Sequence, residues 1–112
     1  MSDRVVSSGQ SLSGQDIAGG DSLVVMAGGS IVDTTIGAGA SDAVYGMASN
    51  TTLMASASDT VFANVVAIGT KVGSGAAQYV SGGGVASATG VQSGGQLFVN
   101  SNGLAQAAII ES

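Results

Sequence analysis

The chain is expected to fold as an all-β parallel β-helix, a solenoid of about six 19-residue coils. Three observations carry that expectation. Six valines, Val6, Val25, Val44, Val61, Val80 and Val99, recur at intervals of 19, 19, 17, 19 and 19 residues. A second apolar ladder, Ile17, Ile36, Leu53, Val72, Val91 and Ile110, follows each valine by 11 residues, shortened to 9 only between Val44 and Leu53. Both ladders thus lose two residues at one place, which argues against coincidence. Gly-rich turns punctuate each unit at matching positions. A fixed period near 20 residues marks coils that cannot bury their apolar faces alone and do so by stacking.

One unit shows how each element arises. Val80-Ser81 ends a strand, and Gly82-Gly83-Gly84 turns the chain. Val85-Ala86 opens a second strand and Thr89-Gly90-Val91 forms a third. Ser93-Gly94-Gly95 turns again, and Gln96-Leu97-Phe98-Val99 begins the next coil. Short apolar runs between Gly turns are strand signals. A helix would need apolar residues at i, i+3, i+4 and i+7, and the Gly pairs oppose it.

Other positions repeat in step. Leu12, Ile31, Ala48, Ala67, Ala86 and Ala105 stand five residues before the second ladder. Gln15, Thr34, Thr51, Thr70, Thr89 and Ala108 stand two before it. Gly20, Gly39, Ser56, Gly75 and Gly94 stand three after it. In parallel coils about 4.8 Å apart like residues lie above one another, so the six coils should span on the order of 30 Å. The valines and the second ladder are expected to line the core, and the threonines to form an external ladder. Leu12 and Ile31 give way to four alanines, a thinning that Val66, Ile68, Val85 and Leu104 would partly offset. In the third unit Tyr45-Gly46-Met47 replaces the Gly pair, which reads as a tighter corner or, as a sharper alternative, a binding bulge.

Composition narrows the function. At 112 residues the chain forms at most one domain, 1–112. It holds two Phe, two Tyr and no Trp, so its apolar content suits a thin core of small side chains. Pro is absent, so every backbone N–H is free to join a ladder. The regular β-branched ladders and low charge oppose a disordered Gly/Ser linker. With no Cys and no His, disulfides, thiol nucleophiles, imidazole bases and common zinc sites are excluded. Net charge is −5 and only Arg4 and Lys71 are positive, which excludes nucleic-acid binding through clustered cations. No segment reads as a signal-peptide core or a membrane-inserting span.

The acids are Asp3, Asp16, Asp21, Asp33, Asp42, Asp59 and Glu111. Asp42 and Asp59 occupy equivalent places in successive coils, each six residues past the second ladder. They could stand about 5 Å apart, the spacing of a retaining glycosidase. They are expected to be solvated acids at a corner, with no basic group nearby to stabilise a transition state. The repeat lacks the Gly-Gly-x-Gly-x-Asp spacing of calcium-binding β-rolls. The Gly turns lack the Lys-Ser/Thr and helix of a phosphate loop. No catalytic residue, metal ligand or cofactor is assigned, and the chain is not expected to be an enzyme.

Gln78-Tyr79-Val80-Ser81-Gly82-Gly83-Gly84-Val85-Ala86-Ser87 and Val91-Gln92-Ser93-Gly94-Gly95-Gln96-Leu97-Phe98-Val99 resemble the 19-residue repeat of AIDA-type autotransporter passengers. Val6-Ser7-Ser8-Gly9-Gln10 resembles its opening phrase. The resemblance is clearest from Val72 to Ile110 and weakest from Ala43 to Val66. It implies a right-handed β-helix, exposed on the cell surface in an adhesin that promotes aggregation and biofilm, with heptose on Ser and Thr in some members.

The apolar pattern starts by Val5-Val6 and runs to Ile109-Ile110. The solenoid is therefore expected to be uncapped. Val5, Val6, Leu12 and Ile17 would offer one end, and Val99, Leu104, Ile109 and Ile110 the other, to another copy of the chain. Such head-to-tail contacts do not close and generate fibres. The leading expectation is a structural protein that polymerises with itself into filaments, cytoplasmic if the chain is complete. The alternative is a surface adhesin passenger fragment.

Overall fold

The computed structural model describes residues 3–17, 19–62, 65–100 and 102–110. Among these residues there is no helix; every regular element is a strand. The first coil holds β1 (Asp3–Val6), β2 (Ser11–Ser13) and β3 (Asp16–Ile17). The second holds β4 (Ser22–Val25), β5 (Ser30–Val32) and β6 (Thr35–Ile36). The third holds β7 (Ser41–Val44), β8 (Met47–Ser49) and β9 (Thr52–Leu53). The fourth holds β10 (Ser58–Val61), β11 (Val66–Ile68) and β12 (Lys71–Val72). The fifth holds β13 (Ala77–Val80), β14 (Val85–Ser87) and β15 (Gly90–Val91). The last holds β16 (Gln96–Val99), β17 (Leu104–Gln106) and β18 (Ile109–Ile110).

Each coil contributes one strand to each of three six-stranded parallel sheets, and neighbours in a sheet are equivalent strands of successive coils. The first sheet runs β1-β4-β7-β10-β13-β16, the second β2-β5-β8-β11-β14-β17 and the third β3-β6-β9-β12-β15-β18. Five steps thus separate six rungs, and the molecule measures 34 × 27 × 19 Å. The valine ladder is in register throughout: Val6 pairs with Val25, Val25 with Val44, Val44 with Val61, Val61 with Val80 and Val80 with Val99. The second ladder pairs likewise along the third sheet.

The core is a narrow column of small side chains. Val6, Val25, Val44, Val61 and Val80 are buried from the first sheet, and Ile17, Ile36, Leu53, Val72 and Val91 from the third. Ile31, Ala48, Ala67 and Ala86 fill it from the second. Val66, Ile68, Val85 and Leu104 do not offset the alanines: they flank that column on the outward side of β11, β14 and β17, and Ile68 and Leu104 are exposed. Compensation comes from the corners instead, where Ala40, Ala57, Ala76 and Val65 are buried.

Most corners reverse the backbone through left-handed residues. Between the second and third strands of each coil stand Gly14, Asp33, Asn50, Gly69, Ala88 and Ala107, all with positive φ. Gly20, Gly39, Ser56, Gly75 and Gly94 do the same where one coil passes to the next. The left-handed region costs glycine nothing and suits Asn and Asp better than other side chains.

The missing two residues of the third unit fall in its first corner. Four residues, 26–29, join β4 to β5, whereas only Tyr45 and Gly46 join β7 to β8. The strands on either side keep register, Ser30 with Met47 and Met47 with Val66. Gly46 is required there, because a Cβ would run into the carbonyl oxygens of Gly29 and Met26.

Candidate functional site

Asp42 and Asp59 are not solvated corner acids. They lie within β7 and β10 as register partners, and their residues are 3% and 0% exposed. Alternation explains this. Each stands two residues before a ladder valine, Val44 and Val61, so it points to the same face, the core. The same column carries Leu23 before and Gln78 after them, also buried.

The threonine ladder is likewise internal. Thr34, Thr51, Thr70 and Thr89 are buried, each two residues before Ile36, Leu53, Val72 or Val91, so the external ladder is overturned by the same alternation. The two polar columns meet. Thr89 Oγ1 donates to Gln78 Oε1 at 3.3 Å, and Gln78 Nε2 donates to Asp59 Oδ2 at 3.0 Å. Burial pushes the Asp59 carboxyl up to about 6, against the hydrogen bond from Gln78 that lowers it. Burial also raises Asp42 well above the usual carboxylate range, reinforced by the charge of Asp59.

This interior can hold charge and protons, but its carboxyls are closed to a solute. The glycosidase spacing is therefore present in the register without an open face for a sugar. Arg4 and Lys71 are both exposed, away from the pair. Arg4 Nη1 donates to Gln15 Oε1 at 2.6 Å. Lys71 borders a shallow polar cleft with Asp33, Asn50, Thr52 and Gly69. Among the described residues no three of His, Cys, Asp and Glu converge on a point that could hold a metal ion.

The outer surface is where other molecules can touch the solenoid. Exposed serines line its strands and corners, among them Ser7, Ser8, Ser13, Ser41, Ser74 and Ser93. Two short aromatic stacks run between coils. Tyr45 lies on Phe62 with centroids 4.2 Å apart and Tyr79 on Phe98 at 4.9 Å, both nearly parallel.

The residues expected to form the two ends divide unequally. Val6 and Ile17 are buried, Leu12 is half-buried and Val5 is exposed. At the other end Val99, Leu104 and Ile109 are exposed, although their equivalents one rung earlier include the fully buried Val80. The side chain of Ile110 lies outside the described residues.

No family model and no curated protein matches the chain. A solved structure does: the crystal structure of the TibC-catalysed hyper-glycosylated TibA55-350 fragment, at 31% identity and a TM-score of 0.70. The match covers 95% of this chain and 46% of that one, so the chain spans about half the length of the fragment it matches. TibA is an AIDA-type autotransporter. The ladders in register, three parallel sheets and this likeness together show a β-solenoid built of repeats similar to those of AIDA-type autotransporter passengers.

Proposed function

We propose that the chain is a non-enzymatic structural segment of a surface-displayed passenger, acting in adhesion between bacterial cells. The observation that carries this reading is the likeness to the TibA fragment over 95% of the chain. The role needs a stiff, protease-resistant rod with a hydrophilic, repetitive exterior, and stacked coils with exposed serines suit it. The same serines are the natural acceptors for sugar, since the TibA fragment is hyper-glycosylated. Glycans at corners would add bulk without entering the core. The test is display of the chain between a signal peptide and a β-barrel translocator, scored by cell settling and by mass spectrometry after co-expression with TibC. Faster settling than a barrel-only control, with added mass on exposed serines, supports the reading. Settling equal to the control overturns the adhesive role.

A second reading, polymerisation of the chain head-to-tail into filaments, draws on the last coil. Val99 is an exposed apolar residue whose equivalent one rung earlier, Val80, is fully buried, so it holds a position that a following rung would cover. That rung could come from another copy. Light scattering of the purified chain at micromolar concentration distinguishes them: growing thin filaments favour the polymer, and a monodisperse monomer removes it.

A further inference from the structure

Leu23, Asp42, Asp59, Gln78 and Leu97 form one inward column through β4, β7, β10, β13 and β16. Its polar stretch is three rungs long, with a leucine at each end. Across the core stand Thr51, Thr70 and Thr89, and the Thr89–Gln78 hydrogen bond fixes the two columns as facing one another. Inside this compartment Asp42 Oδ1 and Oδ2, Asp59 Oδ1, Thr51 Oγ1 and Thr70 Oγ1 have no hydrogen-bond partner. Buried polar atoms are seldom left so, because each costs desolvation without return.

Asp42 and Asp59 are register partners on adjacent parallel strands, so their carboxyls occupy neighbouring places on the inward face. While both are ionised neither can donate, so both oxygens of Asp42 stay orphaned and two like charges face each other. One proton removes both faults. We propose that Asp42 and Asp59 share a single proton inside the folded solenoid, with Asp42 its carrier, so that the fold strengthens as the surroundings become acidic. The assignment follows from Gln78. Its amide group gives Asp59 a donor and accepts from Thr89, which leaves Asp59 as the acceptor at the end of a directed chain. Asp42 has no such donor and becomes the one to supply an O–H, aimed at Asp59 Oδ1. The freed hydroxyls of Thr51 and Thr70 can then turn toward the remaining carboxyl oxygens.

No other charge competes for the pair. The elements packed around it contribute Ile31, Ala48 and Ala67 from the second sheet and Ile36, Leu53 and Val72 from the third. Lys71 is exposed, and Arg4 heads the same column two rungs before Asp42, separated from it by Leu23 and hydrogen-bonded to Gln15; Asp42 and Asp59 are the buried charged residues among those described.

The direction of the pH effect follows from proton counts. In the unfolded chain an Asp gives up its proton near pH 3.8, whereas the folded Asp59 does so at about 6 and Asp42 also above its ordinary value. Between those points the folded state holds a proton that the unfolded state lacks. Stability from this source is complete below about pH 4; part is lost as pH rises through about 6, where Asp59 ionises, and the rest as pH rises through the raised range of Asp42, which keeps its proton longer. The test is chemical denaturation of the intact chain from pH 4 to pH 8. The wild-type folding constant should fall on the order of a hundredfold, as a shift of about two pH units implies. Asp42→Asn, whose amide can donate to Asp59 without a proton, should lose most of that dependence and be the more stable form at pH 8. Infrared spectra of the wild type at pH 5.5, where exposed aspartates are ionised, should show a protonated carboxyl band, a readout that needs no variant. A flat wild-type profile, or absence of that band, overturns the proposal. So does calcium that raises the melting temperature of the wild type but not of Asp42→Asn at pH 8, which would mean that a cation and not a proton holds the pair.

Discussion

Ala88 and Ser56 have φ values of 58° and 66°, in a region where a Cβ crowds its own backbone. Their equivalents in other coils include Gly69 and Gly75. Ala88→Gly should therefore stabilise the fold by about 0.5–1 kcal/mol, reversing the usual penalty for glycine. Urea denaturation of the single variant checks it, and a destabilised variant would contradict the strain argument. Val91→Asp should act in the opposite sense. An unpaired carboxylate stacked on Val72 costs several kcal/mol, enough to abolish the β spectrum in circular dichroism. The difference between Val91 and Asp59 at this scale is a partner, not a position: Asp59 is buried too, but Gln78 donates to it. The inward sense of Asp42, Asp59 and the threonines was legible in the sequence, since each stands two residues from a ladder position. Their polarity argues for a solvated surface, and strand alternation overrules it. What no spacing shows is that Thr89 and Gln78, on different strands, meet across the core.

At the scale of the strands, the repeat was legible nearly to its boundaries because glycine marks most of the reversals. The three strands of the fifth coil fall where Gly82-Gly83-Gly84 and Ser93-Gly94-Gly95 separate apolar runs. The error lay in the second strand of each coil. There Ala67 and Ala86 face inward while their larger neighbours Val66 and Val85 lie on the outward side, so size is a poor guide to direction in a column this narrow. The alanines are needed for fit. Ala67→Leu should destabilise by roughly 1–3 kcal/mol through overpacking, despite the added apolar area, and a thermal melt would show it. The short corner between β7 and β8 gives a sharper test. Gly46→Ala must push apart the carbonyls of Gly29 and Met26, and should cost roughly 1–3 kcal/mol. The same change at Gly90, which has open space around it and no left-handed φ, should be nearly neutral.

For the whole molecule, stability accrues rung by rung, as in other stacked repeats. An apolar rung left open should then govern association. Val99→Lys, at a ladder position left exposed in the last coil, should keep the β spectrum while lowering any concentration-dependent scattering. Unchanged scattering in this variant would place self-contact elsewhere on the surface. The two residues absent between Val44 and Met47 carry a different message. Their loss is absorbed within one bend: the ladders on both sides stay aligned and the following coil resumes its full length. The solenoid keeps count of rungs and ignores the number of residues spent between them. Its bends are consequently splice points, where foreign peptides or whole domains can be grafted as cargo on a rod whose interior never registers their presence.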